Sequence, residues 1–218
     1  MITTVHTEVE ISDCTKSRLA IWSDFNNDGK ADGALPLGYI SSYHGTISAV
    51  ENYNYFSDSA HTIVGPPPIG FESHVFSYQP DNSDGIYLFF YFNIDAGGSG
   101  DNIVNWDITT KRNLLMDSVT VSDDPNSSLG AELQKVSQDQ ILDTSYYQGR
   151  FHYWHNTDGG VIGPFKGTNF EIAVNVLNSG DLNKASFFSS DNQVFSLTDQ
   201  NNNLSSFIVS FDSTSSCQ

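Results

Sequence analysis

IYLFFYFNI, residues 86–94, decides how the rest of this chain is read. It is far shorter than the ~18 apolar residues of a membrane span, and no other stretch comes closer to that length. Tyr87, Phe89 and Tyr91 fall on one alternating face, and Leu88, Phe90 and Phe92 on the other. A strand that is bulky on both faces belongs inside a sheet, either buried on each side or buried on one side and covered by a loop on the other.

Working outward from it, short alternating runs bounded by Gly, Pro, Asn and Asp predict strands at 5–11, 18–23, 38–43, 46–53, 61–64, 71–78, 103–109, 117–122, 150–154, 169–177, 185–188, 193–197 and 204–211. One short helix is expected at 128–142, where Leu129, Leu133, Val136 and Ile141 roughly keep a 3.6-residue period. GPPPIG, residues 65–70, lacks three consecutive backbone donors and reads as a stiff connector. Strands of this number and spacing predict an all-β fold: an antiparallel two-sheet β-sandwich of jelly-roll or Greek-key type, with residues 1–218 as a single domain.

The chain carries 9 basic and 26 acidic residues, for a net charge of −17. That charge repels phosphate backbones and anionic lipid, so neither nucleic acid nor membrane insertion is expected, and cations are the natural partners. The first residues, MITTVHTEVEIS, show no basic segment followed by an apolar core. An extracellular protein would then be exported by another route or have lost its signal. The two cysteines, Cys14 and Cys217, sit near opposite ends of the chain, as expected if the first and last strands are neighbours. A bridge between them would stabilise the fold by about 5 kcal/mol on the chain-entropy argument. Free thiols or a link between subunits are the alternatives.

The acids gather in small turns, and one of them stands out. In SDFNNDGKADG, residues 23–33, side-chain oxygens fall at Asp24, Asn26, Asp28 and Asp32, with Gly29 directly after the third. A hard cation needs six to eight oxygens, and a chain alternating ligand with spacer while it curls delivers them; the glycine permits the bend, and the Lys30 carbonyl supplies a further ligand. This nine-residue stretch resembles the DxNxDGxxD calcium loops of FG-GAP repeats, dockerins and thrombospondin type 3 repeats. The resemblance implies a calcium ion and its loop, not a fold. Leu35 stands where an EF-hand would place a bidentate Glu, and the motif occurs once rather than in repeats.

A second metal candidate is IDAGGSGDN, where Asp95 and Asp101 flank a Gly-rich loop that equally suits a hairpin turn. Asp123, Asp124 and Asp158 sit in further acidic turns that would place ligands on neighbouring loop tips. Zinc is not expected, since the cysteines are far apart and only His152 and His155 lie close in sequence.

No nucleophile elbow or phosphate loop is present, so the protein is expected not to be an enzyme. A polysaccharide hydrolase would need paired carboxylates, for which Glu72, Asp107, Asp117 and Glu171 are the candidates. RFHYWHNTDGG, residues 150–160, sets aromatic rings beside amide and acid groups, a combination that stacks on sugars and accepts their hydroxyls. Tyr153, Trp154, His155, Asn156 and Asp158 are therefore the candidate ligand-binding residues, unless alternate members simply pack a core. Beside that hydrolase, two functions remain open. One is a calcium-binding extracellular module for adhesion or glycan recognition. The other is a subunit that assembles with copies of itself into a surface filament, sheath or virion, helped by strand edges poorly guarded by lysine.

Overall fold

Residues 86–92 form the interior strand that their sequence predicts, and the two sides of that strand organise the molecule. The computed structural model describes residues 18–55, 59–67, 69, 72–92, 102–111, 117–123, 131–153, 157–167, 170–179, 184–199 and 204–212. In chain order the elements are β1 (Arg18–Ser23), β2 (Gly38–Ile40), β3 (Tyr43–Gly45), α1 (Ala49–Tyr53), β4 (Ser73–Pro80) and β5 (Ile86–Phe92). They continue with β6 (Asn102–Lys111), β7 (Ser118–Ser122), β8 (Leu133–Asp139), β9 (Thr144–Tyr153) and β10 (Asp158–Phe165). The last are β11 (Glu171–Asn178), β12 (Ala185–Phe188), β13 (Val194–Ser196) and β14 (Phe207–Asp212).

Two sheets pack face to face. Sheet I runs β2-β1-β14-β11-β6-β9-β8, and sheet II runs β13-β12-β4-β5-β10-β7, with β3 alongside β4. Pairing is antiparallel except where β12 and β3 meet β4. β5 pairs β10 in sheet II while β6 pairs β9 in sheet I, so the chain from β5 to β6 is matched by the returning chain from β9 to β10 across both layers. That nested pairing is a hairpin rolled over two sheets, the principle of the jelly roll.

Leu88, Phe90 and Phe92 of β5 point between the sheets, where Phe90 and Phe92 meet the edge of Trp106 and Phe92 also meets Phe151. Phe89 and Tyr91 point the other way, into a second cluster with Phe76, Tyr78 and Tyr53. α1 and residues 60–64 cover this outer face. Tyr91 donates to the His61 carbonyl at 2.7 Å, and the Asn52 side chain binds the amide and carbonyl of Val64. β5 is thus buried on one side by the opposite sheet and on the other by a cover of helix and loop.

Three local expectations are corrected. Residues 46–53 hold α1 rather than a strand. Ser48 caps the Glu51 amide and the Glu51 carboxylate returns to the Ser48 amide, a reciprocal cap that outweighs the alternation. Residues 61–64 form no strand, because their backbone groups bond the Asn52 side chain instead of a neighbouring strand. In the segment expected to be helical, residues 133–139 form β8 and residues 140–143 a turn. Leu129 lies outside the described residues; of the other three, only Leu133 enters the core, while Val136 sits at a register shift with 53% exposure and Ile141 in the turn with 95%. Pairing with β9 satisfies the backbone of this stretch, and its helical spacing of apolar residues never becomes a packed stripe. β10 carries no strand signal in DGGVIGPF, yet it lies between β5 and β7. A Cβ at Gly159 would stand 1.9 Å from the Phe90 carbonyl oxygen, so glycine permits the close approach there.

Candidate functional site

The Asp24–Asp32 loop leaves β1 and returns to the edge of sheet I. Asp24 donates its amide to the Ser206 carbonyl, Asp32 donates to the Ser23 carbonyl, and Leu37 donates to Ile21 as the chain turns into β2. Within the loop, side-chain oxygens accept from backbone amides. Asp24 is only 1% exposed and accepts from both Asp28 and Gly29, at 3.1 and 3.0 Å. Asn26 accepts from the Asp28 amide at 3.0 Å, Asp28 from Lys30 at 2.9 Å, and Asp32 from Phe25. Gly29 has φ +72° and Asn27 φ 57°, the left-handed positions that curl the chain.

These bonds orient four of the five candidate calcium ligands along one turn. They do not gather them on a point: among the described residues, no three His, Cys, Asp or Glu side chains form a group that could hold a metal. The donor chemistry nevertheless fits a hard cation. A carboxylate offers about four lone-pair sites, and two amide bonds leave Asp24 with capacity to spare.

The strands that flank the remaining candidates begin or end at the same pole of the sandwich. Ser23 faces Phe207, Val174 faces Phe207, Asn178 faces Asn105, and Tyr153 faces Asn102, so β1 and β9 end where β6 and β14 begin. In sheet II, Asp158 faces Phe92 and Ser122 faces Gly160, and Phe92 packs on Phe151. β5 and β7 therefore also end at this pole, and β10 begins there. Asp95, Asp101, Asp124, Trp154, His155 and Asn156 belong to the connections between these strand ends but lie outside the described residues, as do Cys14 and Cys217. Arg18 pairs with Asp212, four residues after the first cysteine and five before the second.

Of the aromatic stretch, Phe151 is fully buried in the core, which is the packing alternative; Tyr153 closes β9 opposite Asn102. Asp158 is buried at the start of β10 near Tyr53, whose hydroxyl donates to the buried Asp123 at 3.2 Å. Burial first, then the Asp123 charge, hold the Tyr53 phenol well above its ordinary range, so it remains a donor. Asp123 and Asp158 thus come together as loop-tip acids, although buried ones.

The four carboxylates weighed for hydrolysis are dispersed. Glu72 is buried against Lys184 and Ser186. Asp117 is buried between the sheets with Thr110, Ser145 and Lys135, and these donors lower its carboxyl despite the burial that opposes them. Glu171 pairs with Lys111, and Asp107 stands on the open face of sheet I.

That open face escaped the sequence reading. Gln134, Gln148, Asp107 and Asn175 are cross-strand partners in succession, forming a row over β8, β9, β6 and β11. Tyr146, opposite Thr109, bonds Asp107; burial and this acid push its phenol up to about 12. The Oδ1 atoms of Asn105 and Asp107 are shielded from water with no hydrogen-bond partner among the described residues. The signal was available in the polar alternates of NIVNWDITT and TSYYQGR, but only strand order turns them into one surface. No protein-family model, curated protein or solved structure matches this chain.

Proposed function

We propose that this protein is a calcium-stabilised, non-catalytic β-sandwich that acts outside the cytoplasm in adhesion or glycan recognition. The observation that supports this most is the Asp24–Asp32 loop. A buried, doubly bonded Asp24 anchors a turn along which Asn26, Asp28 and Asp32 also carry side-chain oxygens. With an ion bound, Asp24, Asn26, Asp28 and Asp32 contribute side-chain oxygens and Lys30 its carbonyl. The ion would offset the repulsion of three carboxylates within nine residues and stiffen the junction of β1 with β14. Its pole is also where the loops after β5, β7 and β9 emerge, and loops held at one end of a rigid sandwich are a common seat of binding.

Calorimetric titration with calcium, alongside thermal unfolding, tests the reading. The native protein is expected to bind one ion with an affinity in the ~10⁻⁴–10⁻³ M range of extracellular modules. At a hundredfold excess over Kd, calcium should add about 2.7 kcal/mol of stability. Asp28→Ala should abolish both effects. No heat and no change in unfolding temperature in the native protein would sink the metal assignment.

A second reading, a self-assembling subunit, is favoured by one feature. The β8–β9 turn presents Ile141 almost fully and Leu142 largely to solvent beside β8, the outermost described strand of sheet I. The register shift in β8 interrupts that edge, so such contacts would run through the turn rather than along the strand. Large calcium-dependent species in sedimentation would favour this reading over a monomeric module.

A further inference from the structure

Among the described residues, the cleft beside α1 and the outer face of sheet I differ in chemistry. Outside α1 lies a cleft of about 590 Å³ lined by the aliphatic Ile47, Val50, Ile63 and Val121 together with Tyr53, Tyr55, Asn54 and Glu51. Its one carboxylate and one amide stand at separate points of a largely apolar wall. The outer face of sheet I carries polar groups in a continuous row. Its row of amides and one carboxylate crosses four adjacent strands, a length of ~14 Å at the usual strand spacing. All four side chains stand on one rigid face, since their neighbours along β6 and β9, namely Val104, Trp106, Ile108, Tyr147 and Phe151, are fixed in the core.

We infer that this open face is the glycan-contacting surface, taking a neutral, hydroxyl-rich chain along Gln134, Gln148, Asp107 and Asn175, with the Tyr146 ring as the stacking wall. The inference rests on the glycan-recognition reading and gives it a location. Three observations carry it. The amides supply paired donors and acceptors, the pattern that vicinal hydroxyls match. Charge on the face is balanced, because Arg150 faces Asn105 in the rung beside Asp107, while the whole chain at −17 repels polyanions. Finally, the shielded acceptors at Asn105 and Asp107 have no donor among the described residues, and the hydroxyls of a bound chain are donors of the kind they lack.

Affinity electrophoresis of the full chain through gels containing a soluble glucan, mannan, galactan or xylan tests this, with alginate as the polyanion control. Native protein should be retarded by at least one neutral polysaccharide and not preferentially by alginate. Tyr146→Ala and Gln148→Ala, each checked for native circular dichroism and unfolding temperature, should weaken retardation at least tenfold. Leu35→Ser, at an exposed position away from the row, should leave it unchanged. If the native protein binds a neutral polysaccharide and both face variants bind it equally well, the placement is overturned while glycan recognition stands. Absence of retardation on every neutral polysaccharide, or preference for alginate, overturns both.

Discussion

The outer faces of the two sheets carry opposite solutions to the same problem, how to finish a sheet whose inner side is already packed. On sheet II, Phe76, Tyr78, Phe89 and Tyr91 are apolar outward, and α1 with residues 60–64 is folded over them. On sheet I, Asp107, Gln148, Asn175 and Tyr146 are polar outward, and among the described residues no helix or strand lies over the row they form. The difference teaches that the cover costs the chain a capped helix and a loop held by Asn52, whereas the open face costs only polar alternates. A face left open can meet a partner; a covered one stabilises.

The comparison can be broken most directly by cutting into each face. Phe89→Ala removes a fully buried ring stacked on Phe76, and should lower unfolding free energy by about 3–5 kcal/mol in urea titration. A loss under about 1 kcal/mol would mean that the cover is not part of the cooperative core.

Titration probes the same face next. His74 shares it, fully buried beside Phe188. Burial pushes its imidazole down to about 4, with Lys184 adding to the depression and Glu72 opposing it. The unfolded chain then binds a proton near pH 6.5 that the folded chain refuses until about pH 4. Stability is fully present above pH 6.5 and lost as pH falls toward 4, by roughly 3 kcal/mol at most. Glu72, also lowered, adds its own loss in more acid solution, below the carboxylate's unperturbed value of 4.5. His74→Gln should flatten the curve between pH 6.5 and 4 in pH-dependent urea melts. An unchanged slope would remove the imidazole from the account. The smallest effect belongs to the open face, where Gln148→Ala should change stability by no more than about 0.5 kcal/mol. A change several times larger would show that the row is structural rather than available.

What could be read in the sequence divides along the same line between local and distant determinants. β1 and β12 begin and end where their alternation does, because short polar or Gly-bounded flanks mark them. β5 was legible because aromatic residues on both parities leave no solvent-facing option. The curl of the Asp24–Asp32 turn was legible because its oxygen-bearing side chains and Gly29 lie within nine residues. Ser48 and Glu51 did carry a helix-start signal, but five residues of helix are too few for periodicity to reveal. β8 misled because Leu133, Val136 and Ile141 keep helical spacing while only the first is buried. The row on sheet I could not be read at all. Asp107 meets Gln148 and Asn175 from strands 41 and 68 residues away, and which strands become neighbours is decided by the packing of both layers.

One pairing has a bearing on how the molecule would be held. Arg18 lies opposite Asp212, so the chain enters β1 and leaves β14 together, at the pole opposite the Asp24 loop. Anything grafted through either flank would grip the sandwich from beneath. The acidic loops would then point away from the support, and the polar row of sheet I would stand along its side like a rail, reachable by a strand of polymer running past the anchor.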